Sequence, residues 1–218
     1  MHLSHFCQKE CYLEHILLDW NRKAEILKKK DLRLAFVIQT IGKPTLEFES
    51  NLFRSLVESI LSQQLAPTAA RTIIQRVRCL NPPFPTASYI RQCRVTRLRK
   101  AGVSGQKSGY LKSLAEHWEN RQWRSGWKTL ADDKLIERLT SVKGIGIWTA
   151  QMFLIFSFGR TNVLPVLDYG IRRGIQILYS LPNVPHPNEV PTLVGHWEGA
   201  YSVASWYLWQ GLDRKILR

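Results

Sequence analysis

Acidic side chains are scarce in this chain. Its 218 residues carry 17 Asp and Glu against 31 Lys and Arg, a formal net charge of +14 and a sequence pI near 9.9. A surplus of this size favours a polyanionic partner, either nucleic acid or an anionic membrane surface. Long apolar runs are missing too. The best, Ala150 to Phe158, is interrupted by Gln151 and Ser157 and falls short of the ~18 residues that span a bilayer, so no membrane partner is expected. The start, Met1-His-Leu-Ser-His5, lacks a basic segment followed by an apolar one, and no signal peptide is expected. Cysteine is rare, with Cys7, Cys11, Cys79 and Cys93 suiting a reducing cytosol rather than a disulfide framework. Cys7 and Cys11 sit among His2, His5 and His15, but their spacing matches no closed zinc site, and one helical turn explains it equally well. Strand patterns, internal repeats and low-complexity tracts are also absent.

What remains reads as helix. Apolar residues recur near a 3.6 period from Cys11 to Lys30, ending in Lys28-Lys-Lys30, and again from Leu32 to Ile41 before Gly42. Ser50 or Asn51 can cap a helix through Phe53, Leu56, Val57, Ile60 and Leu61; Pro67 suits the first turn of the next. Asn81-Pro-Pro-Phe-Pro85 is a loop, with short helices expected over Thr86–Cys93 and Val95–Lys100. Ser104 caps a helix to Trp118, and Asp132 or Asp133 starts another. Further helices are expected over Ile147–Phe158, Asp168–Tyr179 and Gly199–Gln210, with a Pro-rich linker from Pro182 to Pro191. The fold class is all-α. The length suits one domain or two intimately packed lobes.

Val142-Lys-Gly-Ile-Gly146 places two glycines at the junction of two of these helices, in a hairpin motif over about residues 132–158. Glycine adopts positive φ cheaply and lets a foreign backbone approach. The helix from Ile147 then points unpaired N–H groups and its positive end at the gap, which suits a phosphate. Lys143 at the tip adds charge. A plain turn between helices, with glycine as C-cap, is the alternative.

Several segments together resemble the helix-hairpin-helix DNA glycosylase superfamily, in the short form of its 3-methyladenine DNA glycosylase II branch. They are Ile60-Leu-Ser-Gln-Gln-Leu65, Gly102-Val-Ser-Gly-Gln-Lys107, the hairpin through Ala150, Leu164-Pro-Val-Leu-Asp-Tyr169 and Ser202-Val-Ala-Ser-Trp-Tyr-Leu-Trp209. The resemblance runs from about Asp31 to Gly211. It implies a two-lobed helical bundle in which double-stranded DNA bearing an alkylated base is bent and the damaged nucleotide is flipped out of the duplex. It also implies a monomer, located with cytoplasmic DNA, or in the nucleus of a eukaryote.

By motif position, the resemblance makes Asp168 the catalytic carboxylate, with Trp148, Tyr169 and Tyr201 around the base. It makes Gln63-Gln64-Leu65 the loop entering the minor groove, where Gln64 or Leu65 fills the vacated space. Lys143, Gly144 and Gly146 meet phosphate. The backbone carbonyls of Thr140, Val142 and Ile145 match positions holding a monovalent cation, Na+ or K+, and no other cofactor is required. Asp168 is equally a favoured helix N-cap. Lys107 either touches phosphate or caps a carbonyl. Trp206 and Trp209 read as core aromatics.

Lyase members of the superfamily carry a lysine nucleophile two residues after the second hairpin glycine, where this chain has Trp148; Lys143 lies on the wrong side of the turn. Nor does the C-terminal part hold a four-cysteine run for an iron–sulfur cluster. The expected activity is therefore monofunctional hydrolytic release of N-alkylated purines of the 3-methyladenine type, leaving an abasic site and an uncut backbone. One departure stands out. Where the pattern has Trp-x-Pro-aromatic-Arg-Ser, this chain has Trp197-Glu-Gly-Ala-Tyr-Ser202, so Ala200 replaces a pocket aromatic and Tyr201 an arginine. That substitution keeps a second class open: a non-catalytic binder of damaged or abasic DNA.

Overall fold

The structure is a computed structural model that describes residues 3–46 and 51–218, with side chains from Leu13 onward. Ser50 and His2, named above as a cap candidate and a metal-ligand candidate, lie outside the described residues, as do the side chains of His5, Cys7 and Cys11. In chain order the helices are α1 (Leu3–Lys30), α2 (Leu32–Ile41), α3 (Leu52–Ser62), α4 (Pro67–Arg78), α5 (Ala87–Gln92), α6 (Val95–Lys100), α7 (Gly105–Glu119), α8 (Arg121–Arg124), α9 (Asp132–Thr140), α10 (Ile147–Phe158), α11 (Tyr169–Tyr179), α12 (Val190–Val194) and α13 (Tyr201–Asp213). A 3-10 turn at Gly195–Trp197 follows α12. The described residues contain no strand, as the all-α reading requires. None of their helices is long and apolar enough to cross a membrane.

Two compact units emerge: residues 49–153, and residues 1–48 together with 154–218. In the first, Asn51 and Ser104 cap helices where the sequence places them, and Thr86, expected as the first residue of its helix, is its cap. Asn51 accepts the Arg54 N–H at 3.0 Å, Thr86 accepts that of Tyr89 at 3.2 Å, and Ser104 accepts that of Lys107 at 3.2 Å, each satisfying a donor the helix leaves unpaired. Pro67 occupies the first turn of α4. The unit's interior includes an aromatic cluster in which Phe53 meets Trp118 (centroids 5.1 Å), Trp123 meets Trp127 (4.8 Å) and Trp127 meets Phe153 (5.8 Å). The one-turn helix α8, which brings Trp123 to this cluster, is too short for any periodic signal.

The second unit is organised around Asp31. Its Oδ1 caps α2 by accepting the N–H groups of Arg33 and Leu34, both at 3.0 Å. Its Oδ2 accepts from the Tyr179 hydroxyl, from Trp197 Nε1 at 2.8 Å, and from His196 Nε2 at 3.1 Å. Burial alone raises the pKa of this carboxyl. The donors from Tyr179, Leu34, His196 and Trp197 outweigh it and hold the group below its ordinary value. The same contacts push the Tyr179 phenol well up, burial first and the Asp31 carboxylate next. α13 packs against α1, α2 and α11, with Val203, Ala204, Trp206, Tyr207 and Leu208 buried.

The stretch read as a Pro-rich linker hides structure. Val190, Val194 and Trp197 are all buried, an i, i+4, i+7 stripe that the surrounding prolines obscure. Pro191 opens α12 instead of breaking it, since the first turn needs no N–H. α13 also starts later than expected, at Tyr201 and not Gly199.

Because the Asp31 pKa is depressed on folding, its contribution is present above the unfolded carboxyl value of about 3.9 and is lost as pH falls through the lower folded value. Asp31→Asn is expected to cost about 1–3 kcal/mol in urea unfolding at pH 7, with the deficit shrinking below pH ~4.

Candidate nucleic-acid interface and carboxylate site

The hairpin forms as the sequence predicts. After α9 the chain tightens, with the Val142 N–H donating to the Leu139 carbonyl at 3.1 Å and the Ile145 N–H to the Val142 carbonyl at 3.0 Å. The buried side chains of Val142 and Ile145 anchor this turn. Its two glycines have different reasons to be there. Gly144 has φ +96°, and a Cβ there would lie 2.3 Å from Tyr110 Cγ, so both backbone conformation and packing forbid a side chain. Gly146 is not at positive φ, and a Cβ there would meet nothing within 4 Å. The protein's own fold leaves Gly146 open on its outer side, as a site for another molecule's backbone requires. Lys143 is exposed at the tip.

The 63–65 loop is built onto this hairpin. Gln63 Nε2 donates to the Gly144 carbonyl at 2.9 Å and reaches Thr149 Oγ1 at 3.5 Å. Lys107 Nζ donates to the carbonyls of Leu61 at 2.7 Å and Gln63 at 2.6 Å. Of the two roles open to Lys107, the structure shows carbonyl capping: the ammonium sits on the negative end of α3, and burial pushes its pKa down. Gln63 is likewise committed within the protein. Gln64, exposed at φ +56°, and Leu65, 38% exposed, form the projecting tip. Gln63, Gln64, Gly144, Gly146 and Trp148, with Tyr110, line one open groove of about 540 Å³. Trp148 is 41% exposed there. With Ile145, which lines the same groove, six of the predicted residues share a single surface.

Asp168 lies in the other unit, half-buried at the N-cap of α11 with φ −70° and ψ 119°. Its Oδ1 accepts the Ile171 N–H at 2.9 Å and the Trp209 indole N–H at 3.0 Å. The cap and the indole bond converge on this one oxygen. Trp209 is corrected from core aromatic to partner of the acid: Phe156 supports its ring at 5.8 Å, and its N–H fixes the carboxylate. Trp206 is core as expected, 4% exposed. Gly170 was missed altogether. A Cβ there would sit 3.1 Å from Asp168 Oδ1 and 3.2 Å from Trp209 Cδ1, crowding that hydrogen bond. Forty-one residues separate Asp168 from Trp209, and no local pattern links them.

Tyr169 is 64% exposed, with the Arg172 guanidinium 5.8 Å over its ring. Tyr201 is half-buried at the start of α13, where burial, then the neighbouring Glu198 charge, raises its pKa. Before it, the Gly199 N–H donates to Asn162 Oδ1 at 2.7 Å, and Ala200 is buried.

Comparison with known proteins agrees with this architecture. Residues 57–198 match the HhH-GPD superfamily base excision DNA repair proteins. The chain belongs to that superfamily. It is 36% identical to DNA-3-methyladenine glycosylase 1 of Schizosaccharomyces pombe, over 72% of this chain and 71% of that protein. It is 29% identical to alkylbase DNA glycosidase-like protein mag2 of the same yeast, over 88% and 93% respectively. Among solved structures, S. pombe 3-methyladenine DNA glycosylase in complex with abasic DNA matches with TM-score 0.76 at 32% identity, covering 88% of this chain and 97% of that one. A DNA-3-methyladenine glycosidase from Bacillus halodurans gives 0.79 at 34% identity, with 88% of each chain covered. These similarities place this HhH-GPD protein with the glycosylases of base excision repair.

The two hairpin glycines should respond differently to substitution. Gly144→Ala is expected to lower stability by about 2–4 kcal/mol through strain and overpacking against Tyr110. Gly146→Ala should leave the melting temperature within ~2 °C of the parent, as a surface change does, while weakening DNA binding in a filter or anisotropy assay.

Proposed function

We propose that this glycosylase is monofunctional and releases N3- or N7-alkylated purines of the 3-methyladenine type from double-stranded DNA. The observation that carries the reading is the Asp168 carboxylate, fixed at the N-cap of α11 by two N–H donors on Oδ1. As the C1′–N bond breaks, its electron pair leaves with the base and positive charge develops on the sugar. A carboxylate placed beside C1′ stabilises that charge electrostatically, and water adds to C1′ and loses a proton to solvent to complete hydrolysis. An N-alkylated purine already carries positive charge and departs readily, so one acid suffices; Tyr169 and Tyr201, in the same unit as Asp168, are aromatic side chains suited to stacking on the cationic base.

No amine stands two residues after Gly146, where Trp148 is found. A Schiff base with the sugar therefore has no donor at that position, and the strand stays intact. Gln64 and Leu65 at the exposed loop tip fill the space left in the duplex. Lys143 and the open side of Gly146 take phosphate, with the N-terminus of α10 behind them. The carbonyl of Thr140 ends α9, and those of Val142 and Ile145 belong to the turn closed by the Ile145–Val142 hydrogen bond. Three neutral oxygens suit Na+ or K+, which would join the hairpin to a DNA phosphate when bound.

One feature favours a second reading. The buried Ala200 offers no ring for the flipped base, which suits a protein that binds abasic or damaged DNA without cutting the glycosidic bond.

Asp168→Asn is expected to slow release of methylated bases by about 10²–10³-fold, the scale of losing one preorganised electrostatic group, with DNA affinity retained. Equal release by the variant would refute the assigned role. Tight abasic-site binding without release from any alkylated substrate would select the second reading. Borohydride should trap no covalent protein–DNA adduct. Trp209→Phe, which deletes one hydrogen bond to the carboxylate, should cut the rate of release roughly tenfold, since about 1.5 kcal/mol is lost, leaving DNA binding unchanged.

A further inference from the structure

The positive charge is concentrated. Residues 59–115 contain ten Lys and Arg and no Asp or Glu, in a chain whose net charge is +14. Three of these ten are occupied within the fold: Arg91 pairs with Glu119 at 2.6 Å, Lys112 donates to the Arg91 carbonyl at 2.8 Å, and Lys107 caps α3. Arg76 on α4, and Arg94, Arg97 and Lys100 on and before α6, are exposed. No carboxylate lines the grooves in which they stand.

Those grooves are contiguous. One of about 680 Å³ runs along Tyr89, Arg94, Arg97 and Lys100; a second of about 420 Å³ shares Arg97 and Lys100 and adds Arg76. Arg97 lies 5.7 Å over the Tyr89 ring, which holds its guanidinium plane in place. Arg76 in turn abuts Gly102, where a Cβ would be 3.7 Å from its Nη1. Gly102 lines a third groove together with Gln63, Gln64 and Leu65. A track of four free cations therefore leads away from the loop tip within a single unit. Charges kept only for solubility are ordinarily interspersed with the opposite sign. Here the sequence withholds every carboxylate over the whole stretch.

We propose that this α4–α6 face is a second DNA contact, taking backbone phosphates of undamaged duplex on one side of the lesion. The inference rests on the reading that the 63–65 loop enters the duplex at the lesion. Such contacts hold register and add affinity but read no sequence. They release counterions, so their contribution is steeply salt-dependent.

The test uses the full chain and duplexes carrying one abasic-site analogue, with the flank lengthened on either side separately. Wild-type affinity should rise about tenfold or more at low salt when one flank is extended, and remain constant when the other is. The triple variant R76Q/R97Q/K100Q should lose that gain, keep wild-type affinity for the shortest duplex, and show a log–log salt slope shallower by about three. An unchanged melting temperature shows that the variant is folded. A variant that keeps the gain and the slope overturns the proposal, as does equal gain from both flanks. Polyglutamate binding as tightly as DNA at matched charge overturns it in favour of an acidic protein partner. Base release plays no part in this readout, so failure of the catalytic reading leaves the result interpretable.

Discussion

The approach of the Tyr110 ring to the bare Cα of Gly144 sets the geometry of the hairpin surface. At φ +96° with 2.3 Å of Cβ clearance, no other amino acid lets α7 and the hairpin pack this closely. That contact puts the Gly144 carbonyl within reach of Gln63, which draws in the 63–65 loop. Lys107, one turn before Tyr110 on α7, holds the same loop from the other end through two carbonyls. One ring packed on one glycine thereby sets the relative positions of two helices and a loop. The outer side of the hairpin is left free, with Gly146 open and Lys143 and Trp148 exposed.

The carboxylate site follows a different logic. Asp168 satisfies a backbone donor of its own helix and accepts from an indole on α13 through the same oxygen. This economy ties local stability to site geometry: the residue that begins α11 is also the acid proposed to act on the sugar. Gly170 completes the arrangement by leaving space for the indole edge. Asp31, the other capping aspartate with several donors, sits 6% exposed and serves the fold alone. Similar chemistry at two N-caps is set in different surroundings, one buried among several donors and the other half-buried beside an exposed tyrosine.

Legibility in the sequence tracked the range of the interaction. Caps at Asn51, Ser104 and Asp168, the proline opening α4 and the stop at Gly42 act within one or two turns, so residue type reveals them. The double glycine of the hairpin was equally readable, though not the division of labour between Gly144 and Gly146, which depends on Tyr110 more than thirty residues away. Trp209 illustrates the limit: its burial pattern resembles that of a core aromatic, and only the folded chain shows its N–H on Asp168. α12 was concealed for another reason, since its apolar stripe is five residues of helix followed by a tighter turn among prolines. The clustering of charge between Glu58 and Glu116 was visible in the letters, but its meaning emerged only once the side chains were seen to share grooves.

The left-handed backbone at Gln64 carries a consequence for recognition. A residue with a side chain seldom adopts φ +56° unless its surroundings impose it, and here both flanking segments are pinned, by Gln63 to the hairpin and by Pro67 at the head of α4. The tip is therefore moulded before any helix of nucleic acid arrives. If the loop enters the duplex as proposed, little ordering remains to oppose insertion, and the cost of prising bases apart would fall on the duplex. Weakened pairing, as at a damaged site, would then become a criterion by which such a wedge sorts one stretch of polymer from another.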